Sequence, residues 1–95
     1  MSYDGFDLSG KVAVITGGNG GIGLGFARAV AAAGADVSIW GTNAEKNHVA
    51  EQELKAINPS ASAVLCDVSD HKAVETAMAG VVDRYGRICL LYTSP

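Results

Sequence analysis

Five glycines fall within seven residues: Gly17, Gly18, Gly20, Gly21 and Gly23. Glycines at this density suit one chemical task, bringing bare backbone N–H groups up to an anion. The run before them, Val12-Ala-Val-Ile15, is apolar, and the run after them, Leu24-Gly-Phe-Ala-Arg-Ala-Val-Ala-Ala-Ala33, is rich in alanine. Strand, tight turn and helix are therefore predicted in that order. Gly17 lets the chain leave the strand sharply, since glycine tolerates positive φ. Gly21 leaves out a side chain where a phosphate would approach the backbone. Gly23 lets the new helix pack closely. The helix's unpaired N–H groups and positive dipole end face the turn. Asn19, Gly20 and Ile22 are the positions whose backbone or side chain would meet the phosphate. A flexible loop between two ordinary elements is the plainer alternative. The strand before and the helix after argue for a dinucleotide's pyrophosphate instead.

Gly18, Gly20 and Gly23 satisfy G-x-G-x-x-G, a weak pattern alone. Thr16-Gly17-x-x-x-Gly21-Ile22-Gly23 satisfies the sharper T-G-x-x-x-G-I-G. On these residues the chain resembles the N-terminal half of a classical short-chain dehydrogenase/reductase. The resemblance implies an α/β fold with a Rossmann-type parallel sheet, here partial and in the order 3-2-1-4. It implies NADP or NAD as cofactor, and hydride transfer between the nicotinamide and a carbonyl or alcohol. It also implies a homo-oligomer. Asp67-Val68 follows the third predicted strand. By resemblance this aspartate accepts a hydrogen bond from the adenine amino group, and Val68 packs beside the ring. The glycine loop, the capped helix after Gly41 and Asp67-Val-Ser-Asp70 look most like the 3-oxoacyl-carrier-protein reductase and sugar-alcohol dehydrogenase groups.

The end of the second strand should choose the dinucleotide. An acid about twenty positions beyond the glycines would hold the ribose hydroxyls and select NAD. Gly41 and Thr42 stand there instead. No arginine follows Gly41, and Gly20 is not the lysine or arginine often found before the second motif glycine. With the carboxylate gone, the expectation leans to NADP(H), with Thr42 beside the ribose. Lys46 reads as a solvated surface charge, with help to the cofactor as the alternative.

These residues need elements to hold them. Strands are predicted at 11–16, 35–40, 62–66 and 87–92, and helices from Gly21 to Ala33, over 43–57, and from the 67–70 loop to Tyr85. On the first helix Ile22, Phe26, Ala29, Val30 and Ala33 recur at helical spacing. Val49, Leu54 and Ile57 are the apolar positions of the second, and Val74, Ala77, Met78, Val81 and Val82 form the stripe of the third. Thr42-Asn-Ala-Glu45 reads as a capping box and Ser69 as an N-cap. Gly34 and Gly86 should end helices. Alternation of strands and helices argues for a parallel sheet with right-handed crossovers.

Composition excludes other classes. With 48% hydrophobic residues and 18% charged, the chain is not of disordered type. A net charge of −3 and no basic run speak against nucleic acid or a membrane surface as partner. The acidic first residues and two scattered cysteines, Cys66 and Cys89, suit a cytoplasmic protein with reduced thiols. His48 and His71 read as exposed, with no spacing to metal ligands. Tyr85 and Arg87 read as packing or snorkelling side chains, and Trp40 as shelter for the core edge.

The resemblance covers residues 6–88 and then stops. The family's fourth strand continues as Asp-x-Leu-Val-Asn-Asn-Ala-Gly; this chain reads Cys89-Leu-Leu-Tyr-Thr-Ser-Pro95. The family's catalytic serine and Tyr-x-x-x-Lys pair have no counterpart here. Lys11, Lys46, Lys55 and Lys72 are preceded four positions earlier by Asp7, Thr42, Glu51 and Val68. No catalytic residue is therefore assigned. Residues 1–88 are expected to be the N-terminal part of one dinucleotide-binding domain. Residues 89–95 are expected to be non-native, because Cys-Leu-Leu-Tyr-Thr-Ser is one reading frame of a common transposase sequencing adaptor. A non-catalytic dinucleotide-binding module and a self-associating half domain are the other readings.

Overall fold

Strand and helix alternate throughout the computed structural model, which describes residues 7–93. The elements are β1 (Val12–Thr16), α1 (Gly21–Ala32), β2 (Asp36–Gly41), α2 (Ala44–Ile57), β3 (Ser62–Leu65), α3 (His71–Tyr85) and β4 (Leu90–Thr93). All strand pairs are parallel and the order is β3-β2-β1-β4, as expected. Val12 pairs with Asp36 and Thr16 with Trp40. The carboxyl ends of β1 and β2 therefore finish together, and Gly17 N–H donates to the Trp40 carbonyl at 2.8 Å.

Every residue of β1 is buried, because helices cover both sheet faces. Ala13, Ile15, Val37 and Ile39 face α1 and α2, meeting Ala27, Val30, Ala50 and Leu54. Val12, Val14 and Trp40 face α3, meeting Ala77 and Val81. Burying a side chain such as Ile15 contributes about 1.5–3 kcal/mol. Arg28 and Glu53 link α1 to α2 at the surface, where an ion pair adds little. Tyr85 fastens the end of α3 to the approach to β3, its hydroxyl donating to the Ser60 carbonyl at 2.6 Å.

The buried faces of α1 and α2 differ from expectation, and that of α3 has the expected phase but is narrower. α1 buries Gly23, Ala27, Val30 and Ala31. Ile22 is 80% exposed and Ala29 is also exposed. Gly23 sets this phase: a Cβ there would strike the Gly17 carbonyl, so that side of the helix must press on the turn. α2 buries Asn47, Ala50 and Leu54, while Val49 and Ile57 are exposed. α3 buries Ala77 and Val81, with Met78 and Val82 turned outward.

Two caps lie one residue later than expected. Asn43, not Thr42, caps α2, its Oδ1 accepting from the Lys46 amide at 3.0 Å. Asp70, not Ser69, caps α3 by accepting from Lys72 N and Ala73 N. Ser69 is taken by its neighbour: its N–H and hydroxyl both donate to Asp67 Oδ1, at 2.9 and 2.7 Å. Gly34 ends α1 as expected, its N–H donating to Ala31 O while Ala35 N–H donates to Val30 O. β4 begins at Leu90, three residues later than expected. His48 and His71 are exposed, as expected. Among the described residues, no helix is long and apolar enough to cross a membrane.

Candidate cofactor-binding site

A cleft of about 330 Å³ opens at the carboxyl ends of β1, β2 and β3. Its walls include Thr16, Gly17, Asn19, Trp40, Gly41, Thr42, Lys46, Asp67 and Val68. This is the crevice where ligands of open α/β sheets bind, and parallel strands place it without special residues. A second, apolar cleft adjoins it, sharing Thr16, Trp40 and Val68.

The glycine turn forms one side. Gly17 and Gly21 have φ of +69° and +58°, the left-handed region that disfavours a Cβ. Gly20 is the N-cap of α1 in extended conformation, and no side chain caps that helix. The first amides of α1 are therefore open to an anion at the dipole's positive end. Of the nine expected site residues, Gly17, Asn19, Thr42, Asp67 and Val68 line the cleft. Gly20, Gly21, Ile22 and Gly23 stand beside it as the uncapped helix start. The Asn19 side chain turns towards α2, its Nδ2 donating to Asn47 Oδ1 at 2.9 Å.

Asn47 is a residue that the sequence reading missed. It is buried in the apolar face of α2, and its own Nδ2 donates to Gly41 O at 3.0 Å and Val64 O at 3.2 Å. One amide thereby ties the glycine turn, β2 and β3 together. The bridge also explains Gly41. A Cβ at Gly41 would stand 2.6 Å from Asn47 Oδ1 and would strike Asn19 Nδ2 as well. No side chain, acidic or otherwise, fits at that position while the bridge stands. Gly18 was missed too: a Cβ there would lie 2.9 Å from Ile39 Cβ, so its bareness serves packing on β2. A polar Asn47 in register with Ala50 and Leu54 was the legible clue.

The opposite wall is electrostatically simple. The hydrogen bonds from Ser69 hold the Asp67 carboxyl below the usual aspartate range. Asp67 is thus an acceptor at neutral pH, suited to a ligand's N–H. Cys66 is buried, and burial pushes its thiol up, with the charges of Asp67 and Asp70 adding to it. It is a packed thiol, not a nucleophile. Trp40 is 2% exposed and donates from Nε1 to Ser38 Oγ at 3.1 Å, completing the cleft floor as part of the core.

Known proteins resemble this chain in sequence and fold. A probable NADP-dependent mannitol dehydrogenase of Yarrowia lipolytica is 41% identical over 83 residues, covering 87% of this chain and 30% of that protein. A 3-oxoacyl-(acyl-carrier-protein) reductase of Chlamydia pneumoniae is 34% identical over 84 residues, covering 88% and 34%. The crystal structure of an NAD+-bound xylitol dehydrogenase superposes with a TM-score of 0.85 at 32% identity, covering 88% of this chain and 32% of that one. The chain therefore spans about a third of the length of these relatives. The short chain dehydrogenase family matches from residue 11 to residue 94, through every strand and helix described above, and the chain belongs to that family.

Proposed function

We propose that this chain is the dinucleotide-binding part of an oxidoreductase, and that its cleft takes NADP(H) in preference to NAD(H). The uncapped start of α1, with Gly17 and Gly21 at positive φ, is the observation that carries the reading. The pyrophosphate would lie over the amides of Gly20, Gly21 and Ile22. The adenosine would lie towards Thr42, with Asp67 accepting from the adenine amino group and Val68 beside the ring. Bareness at Gly41 leaves no carboxylate to repel a 2′-phosphate.

A bound nicotinamide supplies or accepts the hydride. The chain's own residues hold and orient the nucleotide. By family likeness the whole protein's substrate class is a carbonyl or alcohol and its assembly a homo-oligomer; the cytoplasm is inferred as its setting from the acidic first residues and the two scattered cysteines. Trp40 is the chain's one tryptophan and lines the cleft, so its fluorescence reports binding. A saturable change on adding NADP+, matched by calorimetry, supports the reading. No heat and no change at millimolar nucleotide would overturn it.

Residues 1–88 are proposed as native domain and 89–95 as adaptor read-through, on the strength of the Cys89-to-Ser94 sequence. Leu90–Thr93 pairs with β1 whatever its origin, since an apolar, β-prone segment adds readily to an open strand edge. Genomic sequence past the Ile88 codon decides. Continuation into Asp-x-Leu-Val-Asn-Asn-Ala-Gly and a later Tyr-x-x-x-Lys supports both the read-through and the enzyme. The same codons followed by a native stop favour a non-catalytic dinucleotide module.

A further inference from the structure

We infer that Lys46 selects the 2′-phosphate of NADP(H), so that the specificity determinant comes from α2 and not from the glycine turn or the end of β2. The inference rests on the reading that the cleft takes a dinucleotide. Gly20 has no side chain, yet the space beside it is occupied. A Cβ built on Gly20 would lie 3.7 Å from Lys46 Nζ and 3.8 Å from Lys46 Cε. The ammonium thus stands beside the motif, in the region that a basic side chain at position 20 would otherwise serve.

Local structure puts it there. Asn43 caps α2 through the Lys46 amide, which fixes where residue 46 leaves the helix. From that turn Lys46 lines the cleft with Asn19, Thr42 and Asn43. Among the described residues its ammonium forms no ion pair and no hydrogen bond, so its charge is available to a ligand. An acidic competitor is excluded at the position that would matter. The Asn19–Asn47 bridge fills the place of a side chain at Gly41. The acid on the cleft wall, Asp67, has Oδ1 engaged by Ser69. A lysine is a compact charge with three rotatable donors, which suits a phosphate better than a ribose hydroxyl.

Two nucleotides that differ only in the 2′-phosphate isolate the effect. Adenosine 2′,5′-bisphosphate and 5′-AMP are titrated calorimetrically into the whole chain at low salt, since screening weakens an exposed contact. The wild type should bind the bisphosphate about tenfold more tightly or better, the scale of one charge-assisted hydrogen bond. Lys46→Met should bring the bisphosphate down to the 5′-AMP affinity and leave 5′-AMP unchanged. Lys46→Arg should keep the preference. Lys46 is exposed, and circular dichroism verifies that each variant is folded. A preference that survives Lys46→Met overturns the inference alone; equal wild-type affinities overturn it together with the proposed preference for NADP(H), and leave the dinucleotide reading standing. Binding of neither nucleotide overturns the dinucleotide reading, and the inference with it.

Discussion

Asn19 and Asn47, 28 residues apart, join the glycine turn to α2 by a hydrogen bond of 2.9 Å between their side-chain amides. Asn47 accepts that bond at Oδ1 and donates from Nδ2 to the carbonyls of Gly41 and Val64. The turn that would hold a pyrophosphate is therefore referenced to two strands and a helix. Precision of this kind matters for anion binding, because backbone amides reward only a correctly placed phosphate.

Replacing Asn47 tests that coupling. Asn47→Leu keeps the volume but leaves Asn19 Nδ2 without its acceptor and removes a side-chain donor from the carbonyls of Gly41 and Val64, the first of which still accepts from the Cys66 N–H. The lost hydrogen bonds and the one unsatisfied donor together make a net loss of about 1–3 kcal/mol the expected outcome. Urea denaturation measures it. A loss below about 0.5 kcal/mol, the range of surface substitutions, would mean that the bridge holds nothing in place.

Gly41→Asp asks whether the family's usual NAD selector can be restored. The new Cβ meets Asn47 Oδ1 and Asn19 Nδ2, so the bridge must break or shift. Overpacking of this sort costs about 1–3 kcal/mol. The variant should therefore be less stable and should not gain NAD+ affinity. Thermal unfolding and NAD+ titration read the two effects separately. A stable variant with tighter NAD+ binding would show that the bridge is not what keeps position 41 bare.

Asp67 contributes a pH dependence whose sign is fixed. Hydrogen bonds from Ser69 hold its folded pKa below the ordinary aspartate value. A depressed carboxylate stabilises the fold above its unfolded pKa, and that stabilisation is lost as pH falls through the folded pKa. Asp7, held down by Ser9, acts in the same direction. Ser69→Ala should flatten the fall in melting temperature between pH 5 and pH 3 relative to wild type, two values that bracket the aspartate range. An identical fall in both proteins would remove Asp67 from the account.

Much of the architecture was legible because it is written locally. Apolar runs separated by helical periods specify parallel strands, and Gly34 and Gly86 mark helix ends by conformation alone. The caps at Asn43 and Asp70 were misplaced by one residue because Thr42 and Ser69 are equally good capping types. The choice was made by contacts that the sequence does not display, the Asp67–Ser69 hydrogen bonds above all. The phase of α1 was missed for a similar reason. Ile22 looks like a core residue, but Gly23 has to face the turn, and a helix has only one inward side. The Asn19–Asn47 bridge lay furthest from view, since it depends on α2 packing beside the glycine turn.

The most direct test is a ¹⁵N–¹H titration of the labelled chain with NADP+. Saturable shifts should concentrate in the amides of Gly17, Asn19, Gly20, Gly21, Ile22 and Gly23 and at Thr42, Asp67 and Val68, while α3 beyond its first turn stays still. Shifts confined to other residues, or none at saturating nucleotide, would contradict a dinucleotide site at the carboxyl edge of this sheet.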